Sequence, residues 1–222
     1  MQRDEVLHVC RAVTSHLGFA RLLALGSQAI HVLLEPDEVP EQVMGSVELD
    51  VVVLDALPGQ GDLAQQISGA IGEGSDFHVT HGYYPDGMTL DEAVLPVGWE
   101  GRLRSLDVHR VSLPEAPATL YAPELADLCA SKLAANRSKD RAFTKVVVVE
   151  GLVHADEVLE RCKMLPAGPA REVAVAAAEG IADGTATDLT EDEQRHAPSV
   201  ESSSDRPSRV SLQARRGDNT AG

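Results

Sequence analysis

The nine residues VELDVVVLD at 47–55 limit what this chain can fold into more than any other segment. Their density of valine and leucine predicts a strand buried in a sheet rather than a helix or loop. Side chains alternate along a strand, so Glu48 and Asp50 share one face while Val47, Leu49, Val51 and Val53 share the other. Other segments also read as strands. RLLALG at 21–26 is one, and shorter strands are predicted within 75–101, at 105–113 and near 118–121.

Helical spacing surrounds these strands. Val6, Leu7, Cys10, Val13 and Leu17 recur on one face before Gly18; a short helix starts at Ser27, and another covers about 62–71. From Pro123 the pattern is helical through PELADLCASKLAAN, KDRAFTKVVVVEGL and ADEVLERCKML until Pro166 stops it. The reading is an α+β fold: a small mixed β-sheet flanked by helices, followed by a C-terminal helical segment and a disordered tail. Residues 1–122 form the core, 123–165 the helices that complete the site, and 166–222 a helix over REVAVAAAEGIA and then the tail. The tail, 185–222, has no aromatic residue and too little apolar surface to offset its ordering entropy.

Composition narrows the class. Aromatic residues are only 3% of the chain, so Leu, Val, Ile and Ala must build the core. Cys10, Cys129 and Cys162 are odd in number and widely spaced, which argues against a disulfide framework or a structural zinc site. Acidic residues at the N-terminus and the lack of a long apolar run predict a cytoplasmic protein without a membrane partner. A formal charge of −16 opposes general nucleic-acid binding, because phosphate attraction supplies most non-specific affinity. That charge is uneven: residues 1–101 carry 3 basic and 16 acidic side chains, whereas 102–145 carry 8 and 5. A polyanion would dock on the 102–145 stretch, although solvated helix surfaces explain the same charges.

Three groups of residues could carry chemistry. Glu48 and Asp50 either face water on an edge strand or share a cation that offsets their repulsion, and a hard divalent ion such as Mg²⁺ suits two carboxylates. Gly26-Ser27, between a strand and a helix, offers backbone N–H groups to a phosphate. Lys132 shares a helical stripe with Leu125, Leu128 and Cys129, so it faces inward, and Asn136, Lys139 and Asp140 continue that stripe if the helix runs on. Lys132 could then grip a triphosphate while Asp140 orients it or accepts a proton. His31, His78 and His81 read as structural.

With LALGSQAI (23–30), SVELDVVVLD (46–55) and ASKLAANRSKDRAF (130–143) taken together, the chain resembles the nucleotidyltransferase superfamily of polymerase-β-like fold. More closely it is similar to small bacterial nucleotidyltransferase-like proteins related to abortive-infection and MenAT-type toxins, over residues 5–165. The resemblance implies phosphate binding at Gly26 and Ser27, metal ligation by Glu48 and Asp50, and triphosphate contacts from Lys132 and the Lys139-Asp140 pair. The spacing from Gly-Ser to the carboxylates is about twice the family's usual dozen residues, and the first carboxylate is Glu rather than Asp. No third carboxylate is assigned; Asp107 is the one candidate on a later strand.

The expected activity is Mg²⁺-dependent nucleotidyl transfer, with Mn²⁺ as a substitute, from an NTP to a hydroxyl acceptor. That acceptor is the 3′ end of a tRNA, as in toxin-type relatives, or a protein or small molecule. Two alternatives stand beside it: a catalytically weak nucleotide-binding or toxin–antitoxin module acting through an antitoxin partner, and a phosphotransferase moving the γ-phosphate.

Overall fold

A computed structural model describes residues 1–18, 21–55, 62–108 and 118–184. The disorder expected at 185–222 and the far end of the 105–113 strand lie outside the described residues. The fold is α+β, with a five-stranded mixed sheet in the order β3-β2-β1-β5-β4 and helices packed on it. The strands are β1 (Arg21–Leu25), β2 (Glu48–Val53), β3 (Tyr84–Gly87), β4 (Arg104–Val108) and β5 (Ala118–Ala122). β1 pairs antiparallel with β2 and parallel with β5, β2 pairs parallel with β3, and β4 closes the far edge antiparallel to β5.

Alternation along β1 and β2 builds two cores. Leu22 and Ala24 of β1 and Leu49, Val51 and Val53 of β2 join the larger one, with Val6, Val9, Cys10 and Val13 of α1 (Arg3–Leu17). Leu23, Leu25 and Val52 face the other way onto Leu95 and Trp99. Each such aliphatic side chain contributes roughly 1.5–3 kcal/mol when fully buried. Val47 departs from the expected pattern: it precedes the strand and is half exposed.

The helices are α2 (Ile30–Leu33, entered through a 3₁₀ turn at Ser27–Ala29), α3 (Leu63–Ile71), α4 (Asp76–His81), α5 (Leu125–Ala135), α6 (Ser138–Val149), α7 (Ala155–Lys163) and α8 (Pro169–Ala182). None of them is long and apolar enough to cross a membrane among the described residues. Cys10, Cys129 and Cys162 are buried free thiols, and burial pushes each up to about 12.

One local expectation needs correction, and one condition set by the sequence is not met. The segment from 75 begins with a helix, not a strand: Ser75 caps α4 by accepting from His78 N, and Gly82 ends it at a φ of 78°. The helix carrying Lys132 does not run on through Asp140. Asn136 takes a left-handed φ of 55°, accepts the role of C-terminal stop, and α6 starts afresh two residues later.

Candidate active site

The end of β1 and the start of β2 fix the first element. Leu25 pairs in register with Asp50, and Gly26 follows at a φ of 65°. A Cβ at Gly26 would overlap the Asp50 carboxylate, so glycine here meets two needs, the left-handed backbone and the close approach of a carboxylate. Gly26 therefore lines the cleft beside Asp50, whereas Ser27, which opens the 3₁₀ turn, is not among the described residues lining it.

β2 then presents Glu48 and Asp50 on the same face, as alternation requires. β3 adds a carboxylate that sequence reasoning missed: Asp86 sits opposite Asp50 in the parallel register. Ser68 Oγ of α3 donates to Asp86 Oδ1 at 3.1 Å and accepts from Gly87 N at 2.9 Å, tying the strand to the helix. Asp107, the sequence's candidate for a third carboxylate, lies on β4 at the opposite edge of the sheet and does not share this cleft. Burial, the negative charge of Glu48 and that of Asp86 push the Asp50 carboxyl up to about 6, against a smaller opposing pull from Lys132 and Lys139. Glu48 is touched at the rim by Lys139 Nζ at 3.4 Å and by the Tyr84 hydroxyl at 3.4 Å.

The opposite wall is cationic. Lys132 of α5 is 6% exposed, lies 4.6 Å from the centre of the Phe143 ring, and donates to Asp140 Oδ1 at 3.0 Å. Arg137 Nε donates to the other carboxylate oxygen, Oδ2, at 2.6 Å. The left-handed turn at Asn136 makes this possible, because it folds the first turn of α6 back onto α5. Desolvation alone would raise the Asp140 carboxyl, but Lys132 and Arg137 more than offset it and hold it below the usual range. Lys132 is driven down by burial, with Asp140 opposing. Asp140 is fully buried, and its two oxygens accept from Lys132 and Arg137, which fixes the positions of both side chains. Arg137 was missed as a site residue because its place depends on that helix break.

These walls enclose one open cleft of about 670 Å³, in the size range of a small-molecule site. Gly26, Glu48, Asp50, Lys132 and Lys139 of the sequence-derived set all line it, together with Asp86 and Arg137. The three histidines stand apart. His31 is buried with Nε2 at 3.0 Å from the Met1 carbonyl, His78 packs its ring on Tyr84, and His81 belongs to a ring cluster with His8, Phe77 and Tyr83.

Comparison of the chain with family profiles, characterised proteins and solved structures returns no match.

Proposed function

We propose that this protein is a Mg²⁺-dependent nucleotidyltransferase, moving a nucleoside monophosphate from an NTP to a hydroxyl acceptor. One observation carries the reading: a single cleft with three carboxylates from two adjacent strands on one wall and Lys132, Arg137 and Lys139 on the other. A metal–triphosphate has that same polarity, cation toward carboxylates and phosphate oxygens toward basic side chains.

The donor set fits a hard cation. Among the described residues no three His, Cys, Asp or Glu side chains converge closely enough to hold a metal ion alone. Mg²⁺ is ordinarily held by one or two carboxylates, with water and substrate phosphates filling its other positions, and Mn²⁺ accepts the same oxygen ligands. Glu48 and Asp50 would hold it, with Asp86 beside them. When bound, it supplies neutralisation of the triphosphate charge. Lys132 and Arg137 bind phosphate oxygens, and Asp140 keeps both from swinging away. Gly26, whose missing Cβ leaves room for the Asp50 carboxylate, and Ser27 at the helix entry would offer backbone N–H groups to the phosphates. Transfer forms a bond from the acceptor oxygen to the α-phosphorus, breaks the bond to pyrophosphate and releases the acceptor's proton.

The acceptor we favour is an RNA 3′ end such as that of tRNA, in a toxin-type setting with an antitoxin partner, on the local excess of basic over acidic residues in 102–145. The test incubates the purified chain with Mg²⁺, each α-labelled NTP and total RNA, beside Asp50→Ala. Label on tRNA-sized RNA with the wild type alone is expected, with a loss of at least ~10³-fold in the variant. Label on protein would change the acceptor. Binding without transfer would replace the enzyme with a nucleotide-binding module, and equal labelling by the variant would overturn the site.

A further inference from the structure

The charged walls occupy only part of the cleft. Apolar side chains line the same cleft: Met88, Ala93 and Val94 from the segment after β3, and Leu128, Ala134 and Ala135 of α5. A triphosphate has no use for such a surface, whereas a flat heteroaromatic ring does, and both kinds of lining share one cleft. Small side chains on α5 leave room for a ring, and Met88 supplies a polarisable, adaptable contact.

Ser131 and Glu92 also line the cleft, and neither belongs to the two charged walls. Glu92 is not a freely swinging surface acid: its Oε2 accepts from Thr89 N at 2.6 Å and from Thr89 Oγ1 at 2.8 Å, in a capping box that closes the turn Leu90–Glu92. That arrangement pins the carboxylate through Oε2, and Oε1 carries no hydrogen bond among the described residues. The Thr89 bonds also hold the Glu92 carboxyl below its usual range, so it is an anion at neutral pH and can only accept hydrogen bonds.

We infer that this apolar part is the nucleobase slot of the NTP and that Glu92 selects bases carrying an exocyclic amino group, namely adenine, guanine or cytosine, against uracil. Amino-bearing bases offer an N–H₂ donor at the edge that a fixed carboxylate can meet. Uracil offers one N–H flanked by two carbonyl oxygens, whose lone pairs face the carboxylate and repel it. This specificity rests on the nucleotidyltransferase reading. Because Glu92 is exposed, the discrimination is modest, about tenfold rather than the far larger ratios of fully buried sites.

The experiment is calorimetric titration of the full chain with Mg²⁺ and each of ATP, GTP, CTP, UTP and inorganic tripolyphosphate. It is run on the wild type, on Glu92→Gln and on Ala134→Phe. Glutamine keeps the capping box while adding an N–H₂ donor that uracil's carbonyls can accept. The expected result is UTP about tenfold weaker than the other three in the wild type, and that gap lost in Glu92→Gln. Ala134→Phe fills the slot and should reduce all four nucleotides toward tripolyphosphate, whose own affinity stays the same in the three proteins. Four nucleotides binding alike to the wild type, or an unchanged ranking in Glu92→Gln, with tripolyphosphate still bound, would overturn the slot while leaving the phosphate site standing. If neither tripolyphosphate nor any NTP binds the wild type, the nucleotidyltransferase reading falls and the slot with it.

Discussion

Asp127 is a carboxylate removed from water and Asp50 one partly removed from it, and the structure treats them in opposite ways. Asp127 on α5 is 0% exposed and answered by two guanidinium groups: Arg102 through Nε at 2.8 Å and Nη2 at 3.0 Å, and Arg161 of α7 through Nε at 3.1 Å. Asp50 has two other carboxylates for neighbours and no ion pair among the described residues. A buried charge that is fully matched ties elements together; one left unmatched costs stability and is kept only where something else supplies the counter-charge. The first is a staple joining the 99–102 turn, α5 and α7, and the second is a socket.

The staple gives the largest effect on folding. Asp127→Ala leaves Arg102 without its acid and Arg161 with only Glu124 and Glu157, and removing one partner of a buried pair typically costs 3–5 kcal/mol. Both arginines are about one-fifth exposed, which lets water relieve part of this, so about 3 kcal/mol is expected from urea unfolding. A loss below about 1 kcal/mol would break the contrast.

The socket should respond with the opposite sign. The Asp50 carboxyl sits at about 6 in the fold against an ordinary 3.8, so between those values the folded chain binds more protons than the unfolded one. Its ionisation therefore subtracts stability as pH rises through 6, and the loss is relieved as pH falls toward 4. Two units correspond to about 3 kcal/mol, reduced here because water reaches the cleft. Asp50→Asn, in chelator, should unfold about 1–2 kcal/mol later than the wild type at pH 7.5, and the two should converge near pH 4. A variant less stable than the wild type at pH 7.5 would mean that Asp50 has a structural partner after all.

How much of this was legible in the sequence follows from which interactions are local. β2, β1, α1 and the inward stripe of α5 announce themselves through period-2 and helical spacing, and with them Glu48, Asp50, Gly26 and the burial of Lys132. Asp86 was hidden because YPDG has the composition of a turn; only pairing with β2 and the brace from Ser68 make it a strand. Asp107 misled for the complementary reason, since a strand's place in a sheet is not written in its own residues. Arg137 and the Lys132–Asp140 contact depended on Asn136 adopting a left-handed turn, a choice that single-helix periodicity treats as continuation.

Lys139 tests the same contrast at its weakest point. Its Nζ reaches Glu48 Oε1 at 3.4 Å, with the two side chains 48% and 31% exposed, so the pair crosses the mouth of the socket instead of sealing it. Exposed pairs of this kind contribute 0–1 kcal/mol because side-chain entropy and salt screening cancel most of the attraction. Lys139→Met should therefore change the unfolding free energy from urea melts by less than about 0.5 kcal/mol, and that small difference should vanish in 0.5 M salt, roughly the ionic strength at which charges a few ångströms apart are already screened. Tripolyphosphate affinity should fall several-fold in the same variant, since the lysine's remaining function is to face an anion. A stability loss near 2 kcal/mol with unchanged tripolyphosphate binding would reverse the assignment. Glu48 would then be paired as firmly as Asp127, and the carboxylate wall would hold the fold together instead of waiting for a cation.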